Sequence, residues 1–95
     1  MLYTLLQSPW QCDIDSLLLL MQKGDDLLLM QDGVTAALEG SQMLIKLQAS
    51  PAALWVLEED VVARGLVEQI STKVARLDYT GFVAMTVKHQ QQVAW

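Results

Sequence analysis

Apolar residues fall in short continuous runs separated by polar, glycine-containing breaks, and each run reads as a strand or as one face of a helix. Leu2–Leu6 is an unpunctuated apolar segment suited to a buried strand. It leads directly into Ser8-Pro9-Trp10-Gln11, where Ser8 and Gln11 have capping-box spacing and Pro9 sits at a first helical position. This predicts a helix in which Trp10, Ile14, Leu17, Leu18 and Met21 share a face and Gly24 provides the stop. Leu19 and Leu20 widen that stripe, so the helix should be covered on two sides. Leu27–Met30 is a second strand, ended by Asp32-Gly33, and its continuous apolarity implies that both faces are covered, as in a parallel sheet. Residues 34–38 and 41–47 read as helix, or as two helical pieces interrupted at Gly40, before Ser50-Pro51 breaks the pattern. Leu54–Leu57 is a third strand. Glu58-Glu59-Asp60 then opens a short helix that Gly65 ends. Leu66–Ser71 fits neither period. Val74–Leu77 is a fourth strand, and Asp78 or Thr80 caps a last helix in which Tyr79, Phe82, Val83, Thr86 and Val87 share a face.

Strands alternating with helices and no hairpin signal predict an α/β fold. It should be a small three-layer domain, residues 1–95, with a mainly parallel sheet of about four or five strands and right-handed crossovers. Composition adds an expectation of association: 53% of the residues are hydrophobic and 18% charged. A chain this small buries only about 60–65% of its unfolded surface, so some of that apolar area needs a subunit interface. The net charge of −5, with six basic residues scattered along the chain, leaves no basic patch, so the chain alone should bind RNA or DNA poorly, and the same argument weakens binding to an anionic membrane. The longest apolar run, Leu17–Met21, is far short of the ~18 residues of a spanning helix. A single cysteine and an amino terminus without a basic region point to a reducing cytoplasm.

Candidate chemistry is sparse. Cys12 is the only thiol, expected in the first turn of the first helix, where free N–H groups favour a thiolate; Asp13 and Asp15 oppose it. His89, in the last turn of the last helix, is expected to be exposed and favoured by the helix dipole. One histidine and one cysteine do not make a zinc site, and no metal or cofactor is expected. Asp32-Gly33 lies where open α/β sheets bind ligands, yet has no glycine-rich phosphate motif and reads first as a strand-to-helix turn. Trp10, Trp55 and Trp95 are candidate interface anchors, with Val93-Ala94-Trp95 read as a tail that docks on its own chain or on another.

Read together, several segments resemble the TusB/DsrH family. They are Met1-Leu2-Tyr3-Thr4-Leu5 with Ser8-Pro9-Trp10, Gly24-Asp25, the stretch from Leu27 to Ala37, Glu59-Asp60 with Ala63-Arg64-Gly65-Leu66, and Gln69-Ile70-Ser71. Asp78-Tyr79-Thr80, Phe82-Val83, Thr86-Val87-Lys88-His89 and Ala94-Trp95 continue the match. The resemblance implies a subunit of a sulfur relay that makes 2-thiouridine at the tRNA wobble position. TusC-like and TusD-like sisters would complete a 2:2:2 heterohexamer, with a TusA-like donor, a TusE-like acceptor and the active cysteine on the TusD-like chain. Some relatives carry a cysteine in the first helix, at the position of Leu17 or Leu18 here, so the sulfur-carrying role is not transferred to Cys12. The resemblance therefore implies a structural subunit with no catalytic residue. Its interface candidates are Trp10, Leu19, Leu20, Trp55, Phe82 and Trp95. The competing readings are a homo-oligomeric persulfide carrier using Cys12, and a small-ligand domain using the Asp32-Gly33 turn.

Overall fold

A computed structural model describes residues 1–95. Five strands, β1 (Leu2–Leu5), β2 (Asp26–Leu29), β3 (Ala53–Leu57), β4 (Ala75–Leu77) and β5 (Gln92–Ala94), form one sheet in the order β4-β3-β2-β1-β5. Every neighbouring pair is parallel, with Leu2 opposite Asp26 and Asp26 opposite Ala53. The four helices are α1 (Ile14–Leu20), α2 (Gln42–Gln48), α3 (Glu58–Ala63) and α4 (Tyr79–Lys88). Two 3-10 segments, Pro9–Gln11 and Gln31–Ala37, complete the chain.

The topology decides which helix covers which face. From β1 to β4 the chain steps across the sheet in one direction. From β4 it returns past all of them to place β5 beside β1. With crossovers of one hand, the last helix must lie on the opposite face from the others. The core divides accordingly. Tyr3, Leu5, Leu27, Leu29 and Val56 pack with Ile14, Leu17 and Met21 of the α1 segment, Leu44 and Leu47 of α2, and Val61 of α3. Leu2, Leu28 and Leu57 point the other way and meet Met85, with Phe82 and Trp55 packed alongside. Both faces of the central strands are dry, which is why their sequences are apolar without alternation.

Three local expectations need correction. The capping box at Ser8 does not form: Ser8 makes no side-chain cap, and Pro9–Gln11 closes only a 3-10 turn ending at an extended Cys12. The first helix starts at Ile14, where Asp13 accepts hydrogen bonds from the Ser16 amide at 3.1 Å and hydroxyl at 2.6 Å. It also stops at Leu20, before Gly24, which forms the following turn at φ +94°. Residues 34–37 lie in a 3-10 segment rather than an α-helix, with Leu38 as its cap and bridged to Ile70, so of the two expected arrangements the region takes the two pieces interrupted at Gly40. The expected cap at Asp78 is present, accepting from the Gly81 amide at 2.8 Å.

Candidate functional site

Cys12 lies outside the helix that was expected to activate it. Its backbone is extended (φ −139°, ψ 168°), one residue before the α1 cap, so no free helical N–H group faces the sulfur as a first-turn position would provide. The Sγ donates weakly to the Pro9 carbonyl oxygen at 3.9 Å. Partial burial and the neighbouring Asp13 carboxylate push the thiol pKa up, toward the neutral form. Alkylation of Cys12 by iodoacetamide at neutral pH is therefore expected to run severalfold slower than that of a free cysteine and to accelerate only in alkali. A rate matching or exceeding free cysteine at pH 7 would show the thiolate to be stabilised after all.

His89 is not the exposed dipole partner that its position suggested. It caps α4 and turns inward, where its Nε2 donates to Asp26 Oδ2 at 2.6 Å. Asp26, with only 4% of its side chain exposed, also accepts from the Trp55 indole at 2.9 Å and from Lys88 Nζ at 3.1 Å. Burial disfavours the Asp26 carboxylate, but the bonds from His89, Trp55 and Lys88, with the Lys88 charge, outweigh it and hold the pKa below its ordinary value. This cluster sits at the amino end of β2. It joins α4, β2 and β3, and all its donors are satisfied by one carboxylate, which is the arrangement of a structural clasp.

At the opposite, carboxyl end of β2, the Asp32-Gly33 turn is occupied by the chain itself. Arg64 Nε and Nη2 reach Asp32 Oδ1 at 3.2 and 3.1 Å, and the Gln31 amide donates to Asp60 at 2.6 Å. Gly33 is buried under β1, where even one methyl group would strike the Leu5 carbonyl. Beyond β3 and β4, Glu58, Arg76, Leu77 and Asp78 line a shallow open groove containing neither thiol nor imidazole. No group of three or more His, Cys, Asp or Glu side chains is arranged to hold a metal ion.

Several large apolar side chains nevertheless remain exposed. Trp10 on the turn before α1 is 66% exposed, and Leu19 on α1 is 87% exposed, with Leu20 beside it and Ile45 on α2. Trp55, Phe82 and Trp95 use their surfaces within the chain instead. Trp55 donates to Asp26, and Phe82, on the inner side of α4, packs against Leu2, Leu28, Leu57 and Met85. Trp95 follows β5, its amide donating to the Thr4 carbonyl at 2.7 Å and its indole to the Asp13 carbonyl at 3.0 Å. The tail therefore docks on its own sheet. No helix is long and apolar enough to cross a membrane.

Comparison with known proteins points to one family. The family model described as DsrH like protein matches residues 7–92. Protein TusB of Cronobacter sakazakii is 58% identical over 95 residues, covering all of both chains. Protein TusB of Shigella dysenteriae and that of Klebsiella pneumoniae are 52% and 55% identical over the same full span. The solution NMR structure of protein Tm0979 from Thermotoga maritima has the same fold, with a TM-score of 0.66 and 24% identity, covering 96% of this chain and 97% of that one.

Proposed function

The chain belongs to the TusB/DsrH family, and from that premise we propose that it is a non-catalytic subunit of a sulfur-relay complex for 2-thiolation of the tRNA wobble uridine. In this reading its 95 residues act as one domain in a 2:2:2 cytoplasmic heterohexamer with TusC-like and TusD-like sisters. Sulfur passes from a TusA-like donor to a cysteine on the TusD-like sister and on to a TusE-like acceptor, while this chain holds the assembly.

The observation that carries the reading is the pairing of a thiol that no neighbouring cation or helix amino end activates with uncovered apolar surface. Persulfide exchange needs a thiolate, and Cys12 is held toward the neutral thiol. Trp10, Leu19 and Leu20, by contrast, spend apolar area on solvent that only a partner chain recovers. The net charge of −5 agrees with a subunit that leaves tRNA to other chains.

Two substitutions test it. Leu19→Asp changes a side chain that contributes little to the monomer, so the fold should hold within about 0.5 kcal/mol. Association with the sisters should weaken by about 2 kcal/mol, roughly 30-fold, as at an interface hot spot. Undiminished co-purification would remove this face from the interface. Cys12→Ser should leave wobble thiolation at its original level. Loss of thiolation, with a +32 Da adduct on wild-type Cys12 after treatment with a persulfide donor, would make this chain a carrier.

A further inference from the structure

Besides the α1 side, one helix face is uncovered. On α4, Phe82 and Met85 turn toward the sheet, while Tyr79, Val83 and Val87 stand 52%, 60% and 80% exposed on the outside. They are spaced four residues apart and so form one stripe. Thr80 and Ala84 beside them are also exposed, and none of these positions is charged. We infer that two copies of this chain pack against each other through α4, antiparallel, about a two-fold axis at Val83.

The symmetry of the helix carries this inference. Tyr79 and Val87 lie equally far on either side of Val83, so an antiparallel copy seats Val83 on Val83 and Tyr79 on the second copy's Val87. Such self-complementarity is what an isologous contact requires. The charges are arranged to match. The amino end of α4 carries Asp78, its cap, and Glu59, which accepts from the Tyr79 amide at 3.1 Å. The carboxyl end carries Lys88, whose Nζ donates to Asp26 at 3.1 Å and whose side chain, 63% exposed, still presents its charge at the surface. An antiparallel pair brings the acidic end of each helix beside the basic end of the other and also opposes the helix dipoles. A parallel pair would set Asp78 beside Asp78 in a chain whose net charge is already −5. The α4 stripe and the Leu19 face lie on opposite sides of the sheet, so both can be occupied at once.

A single ten-residue helix covers less than the ~800 Å² per partner of a stable interface. The contact therefore joins two sets of subunits already assembled, and in this respect it rests on the hetero-oligomer proposed above.

The test uses the complex purified from its host with this chain in a Cys12→Ser background, treated with a short bismaleimide. Val83→Cys should give a covalent dimer of this chain. Tyr79→Cys alone and Val87→Cys alone should not, because each would lie about 12 Å along the helix axis from its own copy. Co-expressed Tyr79→Cys and Val87→Cys chains should cross-link to each other. As a second readout, Val83→Asp should halve the mass of the complex without losing the sister subunits. Cross-linking of Val83→Cys to a sister, no cross-link at all, or equal self-linking of Tyr79→Cys would overturn the two-fold pairing. Whether sisters co-purify is read separately in the same samples: sisters present without the dimer sinks only this inference, whereas the dimer without sisters sinks the hetero-oligomeric reading and with it the joining of two sets, leaving the α4 pairing itself.

Discussion

Asp26→Ala is expected to cost about 3–5 kcal/mol, which is the range for removing one partner from a buried charged pair. In a domain of ordinary stability this is a third or more of the total. Replacement strands the donors that converge on the carboxylate, namely the His89 imidazole at 2.6 Å, the Trp55 indole at 2.9 Å and the Lys88 ammonium at 3.1 Å. His89 suffers most because it is buried, while Lys88 can turn to solvent. Loss of the clasp frees the carboxyl end of α4, which brings Met85 to the second core, so the urea midpoint should fall sharply.

The same carboxylate sets an acid limit. Its folded pKa is depressed and its unfolded pKa is about 3.9, so its stabilisation is complete above that pH and fades as pH falls through the folded value. Asp13 and Asp25 are lowered too. The Ser16 side chain and amide act on Asp13. At Asp25, burial opposes the shift but is outweighed by the Met1 amino group, the Gln22 amide and His89. The Asp26→Asn variant separates the contributions. It should be less stable than wild type at neutral pH, and the gap between the two should close below about pH 4. A gap that stays constant through that range would contradict an ionised Asp26.

Gly33→Ala is expected to cost at least about 3 kcal/mol, the upper end of the ordinary range for overpacking. A Cβ at this position would fall inside the Leu5 carbonyl oxygen and 2.9 Å from its carbon. That carbonyl cannot retreat. It accepts from the Met30 amide at 2.9 Å at the carboxyl ends of β1 and β2, and Gly33 is itself tied to the Met30 carbonyl at 2.8 Å. The conflict is between two backbones at the centre of the sheet, with no flexible side chain to move. At Gly81 the neighbouring atoms belong chiefly to the Leu77 side chain, so Gly81→Ala should cost markedly less. Equal midpoints for the two variants would show that the Leu5–Gly33 approach is not a tight one.

These two sites also show where sequence reasoning reached and where it stopped. The apolar runs of β1, β2 and β3 are legible because burial suppresses alternation, and the parallel α/β class follows; β4, an exposed edge carrying Arg76, is legible only from its place between two helical patterns. β5 was not read as a strand, since Gln92-Val93-Ala94 is a short, mostly exposed edge with neither period. The spacing of Ser8 and Gln11 predicts a helix from Pro9, yet Asp13 is equally a capping residue and wins by accepting from both the amide and the hydroxyl of Ser16. Burial of His89 was invisible because its partner Asp26 lies 63 residues away and looked like part of a polar turn. A charged residue directly preceding a wholly apolar strand was the available clue. The Tyr79-Val83-Val87 pattern was legible as a shared face, but periodicity does not say which of two apolar faces meets the sheet; Phe82 and Met85 do.

The central claim, that this chain works as one subunit of a hetero-oligomer and carries no sulfur itself, is tested most directly by native mass spectrometry. The chain would be tagged at its chromosomal locus and recovered without overexpression. The account predicts a particle of six small subunits, two of them copies of this chain and the others two pairs of distinct proteins of similar size, with no +32 Da adduct on Cys12. A monomer or homo-oligomer bearing that adduct would contradict it and return the chemistry to Cys12.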